Sequence, residues 1–175
     1  MHIDNLSRFT RIVSLNGALR PLHGVASMLM PPLARIVASA PFVPDVLAWR
    51  ATSPDAVARL LNSTGSHLDA RGIAFYRHLF STRRHVAAAL GMMANWDLHQ
   101  LWRDLPRLDV PLDLVAASAD LTIPATQAYD VKARVPQGAV HLVRGLGHLA
   151  HEERPEQISG LLGDLLDARA GSSTA

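Results

Sequence analysis

Val110-Pro111-Leu112-Asp113-Leu114-Val115-Ala116-Ala117 runs directly into Ser118-Ala119-Asp120-Leu121-Thr122-Ile123-Pro124, and this stretch decides the fold. Its first half is an apolar run of strand length. Its second half is a polar loop that ends on Pro124, a residue suited to the first turn of a helix. The pattern predicts a helix over Pro124 to Val135, a strand over Ala139 to Val143, and an amphipathic helix over Pro155 to Ala168 carrying Ile158, Leu161, Leu162, Leu165 and Leu166. Strands that alternate with helices imply a parallel α/β layer.

Upstream, Thr10 to Leu15 reads as another strand, closed by the turn signal Asn16-Gly17. From Val25 to about Arg103 every element reads as helical. Pro32 to Ala40 and Val43 to Arg50 are short helices. Ser53-Pro54-Asp55 is a helix start with a cap hydroxyl; it launches Ala56 to Leu61, which Ser63-Thr64-Gly65 stops. Asp69 caps a helix through Phe80, Thr82 caps Arg83 to Asn95, and Asp97 to Leu105 is a last short helix. The helical block is thus an insertion between the first two strands. The expected division is 1–24 as first strand and lead-in, 25–105 as helical cap, 106–170 as C-terminal core and 171–175 as disordered tail.

The chain has 175 residues, enough for one domain or a large piece of one. At 49% hydrophobic and 18% charged residues, its composition is globular. The net charge is only +2 with no clustered basic block, which argues against a nucleic-acid partner. With no cysteine, disulfides, thiolate zinc sites and cysteine nucleophiles are excluded. Met1 to Phe9 lacks the apolar core of a signal peptide. The apolar region Val25 to Trp49 is broken by Pro31, Pro32, Arg35, Pro41, Pro44 and Asp45, so no membrane span is expected. A cytoplasmic location follows, with contact at a membrane surface left open.

Two loops carry the chemistry, each following a predicted strand, where α/β sheets place their working residues. One holds Asp120. The other, Gly145-Leu146-Gly147-His148-Leu149-Ala150-His151-Glu152-Glu153-Arg154-Pro155, holds His148. A carboxylate at one strand end and an imidazole at the next is the order of an acid–base pair: the acid holds the ring tautomer and the imidazole moves protons. Asp120 also suits a turn that caps the following helix. His148 and His151 with Glu152 and Glu153 depart from the spacing of helical zinc sites, so neither metal nor cofactor is expected. His151 and Glu152 read as solvated loop residues, and Glu153 as a support that bonds the loop backbone and steadies His148. Trp49, Met92, Met93 and Trp96 are the expected lining of an apolar pocket, with plain core packing as the alternative.

These loops, taken with Val110-Pro111-Leu112 and Glu152-Glu153-Arg154-Pro155, resemble the C-terminal third of the α/β-hydrolase-fold family. The resemblance implies that Asp120 and His148 are the acid and base of a Ser-His-Asp triad and that the helical block is the family's cap. The strings Val13 to Leu19, Ser63-Thr64-Gly65-Ser66, Met92-Met93-Ala94-Asn95-Trp96-Asp97-Leu98 and Asp104 to Leu108 resemble, more narrowly, the accessory proteins associated with magnesium chelatase in bacteriochlorophyll synthesis. That likeness implies a role near magnesium insertion, with porphyrin or the chelatase as partner. The alternative is part of a generic serine hydrolase acting on an apolar ester. The family's G-x-S-x-G nucleophile string and its oxyanion-hole loop do not occur in these residues. The expectation is therefore the C-terminal part of a longer protein, inactive alone, with the strand at Arg11 to Leu15 as an open edge.

Overall fold

A computed structural model describes residues 9–21 and 40–167. The expected helix over Pro32 to Ala40 and the tail after 170 lie outside the described residues, apart from Ala40 itself. Three strands, β1 (Ile12–Leu15), β2 (Leu112–Ala117) and β3 (Gly138–Val143), form one sheet in that order, all parallel. Ile12 pairs with Leu112 and Leu112 with Gly138, so the three strands start level. β2 is buried along its whole length, which is why its sequence is apolar but for Asp113: a central parallel strand is covered on both faces.

Alternate residues feed two cores. Leu112 and Leu114 pack with Ile12, Val140, Leu105, Leu108, Val131 and Val135 on one face. Val115 and Ala117 pack with Val13, Leu15, Val143, Ile158 and Leu165 on the other. The first face is covered by α6 (Thr126–Lys132), the second by α8 (Pro155–Asp167). Asp113 interrupts the second face. It is 5% exposed and paired on both sides, Arg11 Nη1 lying 2.7 Å from its Oδ2 and His141 Nε2 2.8 Å from its Oδ1. One buried carboxylate thus ties all three strand segments together, reaching Arg11 just before β1 and His141 in mid-β3.

Between β1 and β2 lie α1 (Val43–Arg50), α2 (Pro54–Ser63), α3 (Ala70–Phe80), α4 (Arg83–Ala94), α5 (Leu98–Asp104) and a 3₁₀ turn, Leu105–Arg107. They form a third core of Ala51, Val57 and Leu61 with Leu68, Ile73, Tyr76 and Phe80. Leu149, from the loop after β3, completes it and joins the insertion to the sheet.

Several helix starts differ from expectation. Asp69 and Asp97 do cap, accepting the amides of Gly72 and Gln100. Ser53 and Thr82 make no side-chain cap bond. Thr82 instead donates its hydroxyl back to the His78 carbonyl at 2.9 Å, a competing local bond typical of threonine. The helix expected from Pro124 to Val135 is shorter, Thr126–Lys132, because the chain closes in tighter i to i+3 turns at both ends, Gln127 N to the Pro124 carbonyl and Arg134 N to the Val131 carbonyl. Ala150–Glu153 forms a one-turn helix, α7, where a loop was expected. Glu152 is accordingly not simply solvated: it accepts the Tyr76 hydroxyl at 2.6 Å.

Candidate active site

Parallel strands put their C-terminal ends on one edge of the sheet, and three polar residues meet there: Asn16 after β1, Asp120 after β2 and His148 after β3. Asp120 is 6% exposed and uses both carboxylate oxygens. Oδ1 accepts the amides of Thr122 at 2.7 Å and Ile123 at 2.8 Å, closing the turn. Oδ2 accepts Asn16 Nδ2 at 2.7 Å and lies 2.8 Å from His148 Nδ1. The turn bonds and the contact with His148 therefore fall on different oxygens.

With Asp120 filled by donors, the hydrogen between the pair sits on His148 Nδ1, which makes Nε2 the basic nitrogen of the neutral ring. The ring side chain is 30% exposed. The arrangement can hold an imidazole in one tautomer beside a buried carboxylate and offer its far nitrogen to a proton donor.

The loop that presents His148 is built from backbone bonds. Gly145 turns the chain at φ +73. The Gly147 amide donates to Glu153 Oε1 at 2.7 Å. The His148 amide donates to the Thr64 carbonyl at 3.3 Å, and the Leu149 amide to Ser66 Oγ at 2.8 Å. The last two acceptors belong to the helical insertion. Gly147 has no room for a side chain, since a Cβ there would lie 2.2 Å from the Gly65 carbonyl carbon.

Asn16, Thr64 and Ser66 were not among the candidates read from the sequence. Asn16 was legible only as a turn residue. Its backbone is left-handed, φ 47, a conformation asparagine tolerates better than most residues. A polar residue closing the first strand, as Asp120 and the His148 loop close the others, is the signal that points to it.

The expected pocket residues separate. A cavity of about 400 Å³ lies within the insertion, lined by Leu47, Ala51, Val57, Leu60, Phe80, Val86, Leu90 and Met93, with Arg50 and His85 also in its wall. Met93 shares a helical face with Val86, Ala89 and Leu90 and lines the cavity, whereas Met92 is one residue, about 100°, off that face and does not; both are exposed. Trp49 is 73% exposed, on the α1 stripe with Phe42 and Val46, and Trp96 lies beyond the end of α4, also exposed. His151 Nε2 is 3.7 Å from Glu152 Oε1, and no cluster of three or more metal-binding side chains occurs among the described residues.

A parallel sheet with a helical insertion after its first strand, and an Asp–His pair at its C-terminal edge, defines the class. The family model for the alpha/beta hydrolase family matches residues 12–161, and the chain belongs to that family. Among curated proteins it is similar to the magnesium-chelatase 30 kDa subunit of Rhodobacter capsulatus, with 36% identity over 157 residues, 90% of this chain and 55% of that protein. The chain thus spans about half the length of this relative. Among solved structures it resembles an esterase from Exiguobacterium antarcticum (TM-score 0.66, 9% identity, 94% of this chain and 62% of that one). It also resembles the enol-lactonase from Burkholderia xenovorans LB400 (TM-score 0.63, 18% identity, 94% and 59%). These two likenesses concern the fold. No helix among the described residues is long and apolar enough to cross a membrane.

Proposed function

We propose that this chain is part of an α/β-hydrolase-fold accessory protein that works alongside a magnesium chelatase in bacteriochlorophyll synthesis. The observation that carries the reading is the 36% identity over 157 residues to the Rhodobacter capsulatus protein. In this reading residues 25–105 are a cap whose exposed Trp49, Met92 and Trp96 offer apolar surface to the chelatase or its porphyrin. The protein works in the cytoplasm, at or near a membrane surface. The test combines the purified chain with purified magnesium-chelatase subunits and measures both direct binding and the rate of magnesium insertion into protoporphyrin. Saturable binding with a changed insertion rate is expected. Neither binding nor a rate change, for this chain and for a longer form that completes the sheet, overturns it.

A second reading has its own support in the 2.8 Å Asp120–His148 contact. Here Asp120 orients the ring and His148 Nε2 accepts the proton of a serine nucleophile that attacks an apolar ester. The G-x-S-x-G string that would carry such a serine does not occur in the 175 residues. The chain alone is then inactive, and hydrolysis belongs to a form that supplies the serine. Replacing His148 by Ala in that form separates the readings: an esterase loses turnover by orders of magnitude, whereas an accessory protein keeps its effect on magnesium insertion.

A further inference from the structure

Three backbones meet where the insertion touches the sheet. Gly65, at φ +81, is so close to the Asp120 loop that a Cβ on it would lie 2.0 Å from the Ala119 carbonyl oxygen. Gly147, in the His148 loop, is equally tight against Gly65. The Thr64 carbonyl sits between the loops and accepts two amides, Leu121 N at 3.1 Å and His148 N at 3.3 Å. One carbonyl oxygen thus uses both lone pairs to bind the residue after Asp120 and His148 itself.

Ser66 extends this contact by one residue. It is fully buried, its Oγ accepts the Leu149 amide at 2.8 Å, and it is hydrogen-bonded to Thr64 Oγ1 at 3.0 Å. Its hydroxyl therefore locks the Thr64 side chain to the backbone directly after His148. A buried amide deprived of its acceptor would have to move or go unpaired.

We infer that the Thr64–Ser66 turn of the helical insertion, beside the Asn16 side chain, holds Asp120 and His148 in register, and that Ser66 is a positioning residue for the His148 imidazole. The inference rests on reading Asp120–His148 as the working acid–base pair. Its consequence is that the insertion is more than a cover over the sheet. Any movement of α2, which leads into this turn, is delivered to both partners of the pair through a single carbonyl. The pair is then set by the state of the insertion as well as by its own two loops.

The test reads the imidazole directly in the 175-residue chain, using ¹⁵N-histidine NMR. The wild-type His148 Nδ1–H is expected as a resolved, slowly exchanging, hydrogen-bonded proton. Ser66→Ala is expected to speed its exchange at least tenfold, or erase the signal, while the chain stays folded by circular dichroism. Thr64→Val keeps the Leu149 bond and removes the hydroxyl that partners Ser66 Oγ and also donates to the Leu61 carbonyl at 2.6 Å, so a smaller change in the same direction is expected. It serves if Ser66→Ala does not fold. Ser118→Ala is the matched control. It deletes another hydroxyl that bonds the same loop, at the Gly145 amide (2.9 Å), but from the sheet side. Its His148 signal should remain as in the wild type.

An unchanged His148 signal in folded Ser66→Ala overturns the inference, as does an equal loss in Ser118→Ala. No substrate or chelatase enters this experiment. If the NMR result holds but His148→Ala leaves the protein's biological effect intact, the positioning stands and the reading of the pair as working chemistry fails.

Discussion

Asn16 Nδ2 lies 2.7 Å from Asp120 Oδ2, although 104 residues separate them in the chain. The same amide also donates to the Gly147 carbonyl, at 3.3 Å. One side chain at the end of β1 therefore braces the loops after β2 and β3 together. Asn16→Ala removes a buried hydrogen bond to a carboxylate, about 1.5–3 kcal/mol. It also places a Cβ-bearing residue without local polar compensation at positive φ, about 1–2 kcal/mol more. A loss of about 2.5–5 kcal/mol in urea unfolding is expected, and Asn16→Gly should recover the backbone part.

The two glycines beside His148 should behave differently although both precede it by three residues or fewer. Gly145 has positive φ but open space around it, so Gly145→Ala costs about 1–2 kcal/mol. Gly147 faces backbone, not a movable side chain, at 2.2 Å. Gly147→Ala is expected to cost more than about 4 kcal/mol, or to prevent folding. Equal melting temperatures for the two variants would contradict the packing of the insertion against this loop.

Asp113 is the acidic centre of a polar cluster whose other members are Arg11 and His141. Asp113→Ala leaves the Arg11 guanidinium, whose side chain is 16% exposed, without its partner beside β1. Breaking a buried pair in this way costs about 3–5 kcal/mol. Because Arg11 precedes the edge strand, the earliest sign should be faster amide exchange in Ile12–Leu15, with β2 and β3 following. Uniform loss of protection in all three strands would show that the cluster is not specific to β1.

Tyr76 links α3 to α7 through Glu152, and its hydroxyl is pushed well above the usual tyrosine range, first by burial, then by the hydrogen bond to and negative charge of Glu152. A raised value in the folded chain means the neutral phenol is favoured there. The contribution to stability is complete below about pH 10 and is lost as the pH climbs past it. Wild type should therefore lose stability above pH 10 more steeply than Tyr76→Phe, with the two slopes alike at neutral pH. Parallel alkaline slopes in thermal melts would count against the Tyr76–Glu152 link.

The sequence by itself determined the three strands, their parallel arrangement and the strand-end positions of Asp120 and His148, because these follow from local patterns. An eight-residue stretch such as Val110 to Ala117 must be covered on both faces, and a polar loop after a parallel strand must emerge at its C-terminal end. Helix starts were partly legible for the same reason. Asp69 caps as its type predicts, whereas the Thr82 hydroxyl had a nearby carbonyl to choose instead, and composition does not reveal that choice. Tertiary structure alone decided the rest. Ser66 Oγ meets the Leu149 amide across 83 residues, and Thr64 binds two loops through a backbone atom that every residue type carries. A carbonyl oxygen leaves no mark in a sequence, and a buried serine has no periodicity, so what braces the Asp120–His148 pair became visible only when the insertion folded onto the sheet.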